Sequence, residues 1–405
     1  MTGYAPEALG FDASRLARIE PYLRERYLDS GLLPNCQLLI ARGGEIVHFS
    51  HQGLARDGGS PVDETSLYRI ASMTKPITSI AFMMLVEEAK VALDTPVHRI
   101  LPEFKNQPVF TGGQHGAWQT RPAAQPMRMI DLLRHTSGLT YGFQERTPID
   151  AAYRDLKLER WHGGLTLDEF VAELGKLPLE FSPGDEWNYS VSTDVLGAVV
   201  QRVSGQALDS FLRERIFAPL GMNDTFFQVP DDKLHRLTDC YAITAEKGRV
   251  MYDAGAASAW AKPPAQLSGG GGLVSTSLDY HRFCQMCLNG GVLDGARIVS
   301  RKTLDLMTRN HLPGDSDLAS MSQSLFSETT NAGTGFGLGF AVTMNVAKTL
   351  LPGSEGEYYW GGMFSTAFFI DPVERLHMIF MTQVSPSSAF TIRRELKTLI
   401  YSALV

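Results

Sequence analysis

Strand-forming sequence lies largely at the two ends of this 405-residue chain, and a long stretch of mostly helical pattern separates them. Near the start, Leu38-Leu39-Ile40-Ala41 and Ile46-Val47-His48-Phe49 are short apolar runs joined by Arg42-Gly43-Gly44-Glu45. Glycines there tolerate positive φ, so Gln37 to Gly53 predicts a β-hairpin. After Gly333 come three more β-rich runs, Phe336 to Val342, Tyr358 to Ile370 and Leu376 to Thr382, and then Arg393 to Leu404 with the pattern of a closing helix. Short links between such runs favour antiparallel pairing. One sheet then draws strands from both ends, and the intervening chain folds as an insertion.

The expected class is therefore α/β of the α+β type, an antiparallel sheet flanked by helices plus an inserted, mostly helical domain. The length exceeds what one compact core usually accommodates, which fits two units. Residues 1–89 and 333–405 form the discontinuous sheet domain in this reading, residues 90–332 the helical one, and the cleft between them is the expected site. Helix signals are specific. Asp12 or Ser14 can cap a helix through Leu16, Ile19, Leu23 and Tyr27, and Thr166-x-x-Glu169 resembles a capping box. Val195, Leu196, Val199, Val200 and Val203 make an apolar face ended by Gly205, and Leu208, Phe211, Leu212 and Ile216 make another.

Several chemistries are excluded by spacing. No Gly-x-Ser-x-Gly elbow, no phosphate-cradling lysine motif and no His-Glu-x-x-His occurs, and the ten histidines are scattered, so neither a metal nor a cofactor is expected. Ser268 to Gly272 is glycine-rich without a Walker pattern, which points to tight backbone approach. Cys284-x-x-Cys287 lies within a helical pattern, Asp279 to Leu288, and reads as partly buried helical thiols. A net charge of -7 without a basic stripe argues against nucleic acid or an anionic membrane as partner. With four cysteines, no spanning apolar stretch and no basic, apolar leader at Met1 to Pro6, the expected location is cytoplasmic.

What remains is Ser72-Met73-Thr74-Lys75, at the start of the apolar helical run Ile77 to Val86. Residues three apart share a helix face, so the Lys75 amine can reach the Ser72 hydroxyl. A basic neighbour and a helix N-terminus both favour an attacking oxyanion. Tyr189 lies in Glu186-Trp187-Asn188-Tyr189-Ser190-Val191, between a Pro183-Gly184-Asp185 turn and a helix. A phenol there can act as a base if a lysine ammonium favours its ionised form. Trp360-Gly361-Gly362, within an apolar strand pattern, marks a close backbone approach. A strand edge there can offer an N–H to an oxyanion, complementing that of Ser72.

In this order and spacing, Ser72-x-x-Lys75, Tyr189-Ser190-Val191 and Trp360-Gly361-Gly362 resemble the class C β-lactamase-like serine hydrolases, specifically the family VIII carboxylesterases. Leu132 to Leu139, Pro219 to Met222 and Gly270 to Thr276 also look like recurring family segments, so the resemblance covers nearly the whole chain. It implies a β-lactamase-like fold, Ser72 as nucleophile, Lys75 and Tyr189 as the proton-handling pair, and backbone amides of Ser72 and Met363 as the oxyanion hole. Trp360, Gly361, Gly362 and Val191 would face substrate. Trp360-Gly361-Gly362 stands where β-lactamases have Lys-Thr-Gly, and Val191 where they have an asparagine. Both departures favour neutral esters over antibiotics. The implied activity is hydrolysis of short- to medium-chain carboxylic esters through an acyl-enzyme. The alternatives are an acyltransferase, a β-lactamase or D-amino-acid peptidase, or an inactive binding module. The tryptophans Trp118, Trp161, Trp187 and Trp260 can line the pocket or fill a core, and the loops 121–128 and 310–331 can shape its entrance.

Overall fold

The computed structural model describes residues 5–246, 248–322 and 331–405. Seven antiparallel strands form the main sheet: β1 (Asn35–Arg42), β2 (Glu45–Gly53), β3 (Thr334–Phe336), β4 (Ala341–Thr343), β5 (Tyr358–Gly361), β6 (Ala367–Asp371) and β7 (Leu376–Met381). Their spatial order is β3-β4-β5-β6-β7-β1-β2. β1 lies between its hairpin partner β2 and the late strand β7, with Leu38 opposite Phe380 and Ile40 opposite Met378. The two ends of the chain are thus joined through one ladder.

Side-chain alternation assigns the two faces of this sheet. Leu39, Ala41, Phe368, Ile370, Ile379 and Met381 pack with helices α1 (Thr74–Glu87), α2 (Ser192–Ser204) and α3 (Ser277–Leu288). Leu38, Ile40, Phe369, Met378 and Phe380 pack instead with Leu16, Ile19, Leu23 and Tyr27 of the N-terminal helical segment and with Ile392, Leu396 and Ile400 of α4 (Ile392–Ser402). The result is helix, sheet, helix. Helix α1 is buried on every side from Thr74 to Leu85, which makes it the central helix rather than a surface one. Its first residues therefore carry polar groups into the interior, where each needs a partner.

Between the sheet halves lie helices and also the hairpins Val109–Gln114 with Ala117–Arg121 and Cys240–Thr244 with Gly248–Asp253. Two expectations need correction. Phe336 to Val342 is not one strand but spans parts of β3 and β4, with a tight link at Gly337 to Phe340. Tyr358 to Ile370 is likewise a hairpin, β5 and β6, so Gly362 and Met363 lie in its turn rather than inside a strand. In both cases the linking residues are largely buried, Gly337 to Phe340 in one and Gly362, Phe364 and Ser365 in the other, so a hydrophobicity pattern cannot separate the strands. The first helix is capped by Asp12, whose carboxylate accepts from Ser14 and Arg15 N–H. No helix among the described residues is long and apolar enough to cross a membrane.

Candidate active site

Ser72 sits in a 3-10 turn, Ala71–Met73, that runs directly into α1. Ala71 is held at φ 44°, a left-handed conformation that an L-residue adopts only when its surroundings enforce it. Lys75, 1% exposed, donates to Ser72 Oγ at 3.1 Å, to Tyr141 Oη at 3.0 Å and to the Gly270 carbonyl at 2.7 Å. Three donors meet three acceptors, which uses the full capacity of an ammonium. Tyr189 Oη donates to Ser72 Oγ at 2.6 Å, and the Lys75 Nζ lies 4.6 Å from the Tyr189 ring centre. The three residues singled out in the sequence are therefore in mutual contact.

Each is fixed by its own support. Tyr189 lies three residues before the start of α2, wedged among His135, Tyr141, Trp187 and Trp360 at ring separations of 5.0 to 6.3 Å. Buried His135 meets Ser190 Oγ through Nδ1 at 3.2 Å, and burial holds its ring well below the usual histidine range, so it is a neutral support. Gly270 belongs to the glycine-rich segment flagged in the sequence. A methyl group there would collide with the Asp194 carboxylate, which accepts from Ser268 Oγ at 2.5 Å and Gly270 N at 3.2 Å. Burial pushes the Asp194 carboxyl up, and the Lys75 charge opposes that shift.

The turn after β5 closes over Ser72 from the sheet side. A methyl on Gly362 would stand 2.6 Å from the Ile70 carbonyl and 3.2 Å from Ala71 Cβ, so only glycine lets this backbone approach the Ser72 turn so closely. Trp360, Gly361, Gly362 and Met363 all line the resulting cleft, about 950 Å³ in volume, together with Ser72 and Tyr189. Val191 does not: it is 1% exposed in the core, and its N–H donates to Thr140. Trp161, Trp187 and Trp260 line the cleft, whereas Trp118 packs on Phe110 and His115 elsewhere. Leu318 and Asn331 of the expected entrance loop also line it, and residues 323–330 of that loop lie outside the described residues. Among the described residues no group of three His, Cys, Asp or Glu side chains could hold a metal.

Sequence reasoning missed Tyr141, Asp194 and Glu159. Tyr141 and Glu159 sit in loops without periodicity. Asp194 had a readable signal, a carboxylate one residue before the apolar face of α2. Glu159 lines the cleft with its carboxyl pushed up to about 7 by burial, against the pull of the Gly142 N–H that it accepts. Because folding favours the protonated acid, its contribution to stability is full below its unfolded pKa near 4.5 and is lost as pH rises through about 7. Glu159→Gln should therefore gain on the order of 1–3 kcal/mol relative to wild type at pH 8 but not at pH 4. Chemical denaturation at the two pH values checks this, and parallel pH dependences in both proteins would refute it.

Comparison with known proteins bears on the family and the fold. The family description Beta-lactamase matches residues 23–401. Protein Rv1367c of Mycobacterium tuberculosis is 35% identical over 88% of this chain and 88% of its own. Esterase EstB of Burkholderia gladioli is 31% identical over 94% of this chain and 93% of its own. Among solved structures, EstCE1, described as a hydrolase with promiscuous acyltransferase activity, superposes with a TM-score of 0.77 at 26% identity, covering 96% of this chain and 98% of that one. The antiparallel sheet between helical layers is thus the β-lactamase-like fold, and this chain belongs to the Beta-lactamase family, in its class C-like branch with the family VIII carboxylesterases.

Proposed function

We propose that this enzyme hydrolyses short- to medium-chain carboxylic esters through an acyl-enzyme on Ser72. The single observation that carries the reading is that Ser72 Oγ is held between Lys75 Nζ and Tyr189 Oη at 3.1 and 2.6 Å. Ser72 Oγ attacks the ester carbonyl as its proton passes to the Tyr189–Lys75 pair. The N–H groups of Ser72 and Met363 receive the oxyanion, and the alcohol departs with a proton returned by the pair. Water then repeats the sequence, giving the free acid and restoring the Ser72 hydroxyl. With all three Lys75 N–H bonds already engaged, Tyr189 is the better placed first acceptor: it enters the step as the phenolate beside the Lys75 ammonium and leaves it as the phenol, which returns the proton to the departing alcohol.

The names of relatives point the same way: Esterase EstB and the Lovastatin esterase of Penicillium rubens, the latter 30% identical over 75% of this chain. In this reading the 1–89 and 333–405 unit supplies Ser72, Lys75 and the β5 turn, while the 90–332 unit supplies Tyr189 and most of the aromatic lining. The substrate is a small neutral ester and the expected location cytoplasmic. Trp360 gives a flat apolar surface where a carboxylate-reading cation would stand in a β-lactamase. A nitrophenyl ester panel of graded acyl length should show turnover that peaks in the short to medium range. A chromogenic cephalosporin should be hydrolysed at least about 100-fold more slowly, a ratio set by the missing charge-assisted contact. Faster hydrolysis of the cephalosporin would overturn the ester reading. Acyl transfer is a second reading with its own support in EstCE1. Product partition with a competing alcohol measures it directly.

A further inference from the structure

We infer that Arg393 is a positioning residue for the oxyanion hole: it grips the carbonyl of Gly362 and so aims the Met363 N–H of the same peptide into the cleft. This rests on the acyl-enzyme reading above. The turn joining β5 to β6 is built of Met363, Phe364 and Ser365. Gly362 N–H donates to the Thr366 carbonyl at 2.8 Å, and Ser365 N–H returns to the Gly362 carbonyl at 3.1 Å. Ser365 takes φ 67° without being glycine. This is a three-residue hairpin loop with a left-handed third residue, a form that makes no use of the N–H of its first residue, Met363.

A trans peptide is planar, so its C=O and N–H point in opposite directions. Whatever fixes the Gly362 carbonyl therefore fixes the Met363 N–H. Arg393 Nη2 donates to the Gly362 carbonyl at 2.9 Å and to the Thr366 carbonyl at 3.0 Å, bridging both ends of the loop. A methyl on Gly361 would sit 2.7 Å from Arg393 Cζ, so that glycine makes room for the guanidinium. A charge-assisted bond to the carbonyl also polarises the peptide, which strengthens its N–H as a donor.

The placement of Arg393 on its own helix supports the assignment. It lies in the first turn of α4, where the helix dipole disfavours a cation. Helix stability does not explain an arginine there, whereas the loop carbonyls do. The loop is held from other sides as well: Ser365 Oγ donates to the Val384 carbonyl at 2.6 Å, and Thr366 Oγ1 donates to the Ile70 carbonyl at 3.3 Å. Those bonds keep the turn folded. Among the described residues, the bond from Arg393 and the internal one from Ser365 are those that act on the peptide whose N–H would receive charge. The two candidate oxyanion donors are thus each adjoined by a non-glycine residue at positive φ, Ala71 beside Ser72 and Ser365 beyond Met363.

The test is kinetic, with Arg393→Ala, Arg393→Lys, Ser72→Ala and wild type assayed together on a neutral nitrophenyl ester. A neutral trifluoromethyl ketone, which becomes an oxyanion only when attacked by Ser72, serves as the probe. Arg393→Ala should lose about 10- to 100-fold in kcat with KM within about twofold of wild type. Its affinity for the ketone should fall by the same factor as kcat. Arg393→Lys, which keeps a donor and a charge, should recover part of both, and so should free guanidinium added to Arg393→Ala. A rise in KM at unchanged kcat would overturn the inference in favour of direct substrate binding, and so would unchanged ketone affinity. If Arg393→Ala does not fold, Arg393→Lys decides alone: matching partial losses in kcat and ketone affinity at normal melting temperature would support the inference, and wild-type values of both, or a loss in kcat without a matching loss in ketone affinity, would overturn it. Turnover retained by Ser72→Ala would remove the acyl-enzyme reading, and this inference with it, whereas turnover lost by Ser72→Ala leaves the Arg393 comparison to stand or fall by itself.

Discussion

Ser72→Ala should abolish ester turnover, with kcat down by at least about 10³-fold, and should eliminate labelling by an active-site phosphonate while the protein stays folded. The fold should survive because Ser72 is an acceptor of two hydrogen bonds rather than a packing residue. Its removal takes one acceptor each from Lys75 and Tyr189, and Lys75 keeps Tyr141 and Gly270. The cleft also admits water to the vacated position, so the loss in stability should stay below about 1 kcal/mol. Intact-protein mass spectrometry after phosphonate treatment reads the labelling, and thermal melting reads the fold. Turnover within tenfold of wild type in a folded Ser72→Ala protein would sink the assignment, since among the described residues no second serine in the cleft has both partners.

The behaviour of this site shows which parts of it were legible in sequence. Ser72 and Lys75 are three apart on one helical turn, so their contact is local geometry that spacing alone predicts. Tyr189 is 117 residues from Ser72, and no local rule brings them together; only the joint pattern with the β5 glycines suggested it. Tyr141 and Glu159 stand in loops fixed by distant contacts, Tyr141 by Lys75 and Glu159 by the Gly142 N–H, and nothing in their sequence neighbourhoods sets them apart from structural residues. The same division runs through the fold. The hairpin Asn35–Arg42 with Glu45–Gly53 was readable because Gly43 and Gly44, at φ 64° and 100°, occupy a two-residue turn that needs them. The turn between β5 and β6 was not, because Ser365 takes the left-handed position without the glycine that normally announces it. Val191 was expected to face substrate from its place in the motif. It is instead buried at the junction with α2, where a β-branched apolar residue packs well, and its backbone rather than its side chain makes the polar contact.

Lys75→Met should combine a large catalytic loss with a pH-dependent loss of stability, and the two should be separable. Catalysis should fall about 10²- to 10⁴-fold, the range for removal of a proton-handling group. The structural consequence comes from what Lys75 leaves behind: the Gly270 carbonyl, deprived of its 2.7 Å donor, and Asp194 below it, deprived of the nearest opposing charge. An unmade bond at a buried acceptor costs about 1–3 kcal/mol. Asp194 already has its carboxyl raised by burial, and the Lys75 charge holds it down. Without Lys75 it should rise further, so the folded state takes up a proton that the unfolded state does not hold at neutral pH. For a raised carboxyl, stability is present at acid pH and lost as pH increases. Lys75→Met should therefore be destabilised more at pH 8 than at pH 5. Adding Asp194→Asn, which keeps an oxygen for Ser268 and the Gly270 N–H, should remove that difference and restore part of the stability without restoring turnover. Equal destabilisation of Lys75→Met at both pH values would show that Asp194 does not sense Lys75. Recovery of activity in the double variant would mean that Lys75 acts only to neutralise Asp194, leaving Tyr189 sufficient as the base.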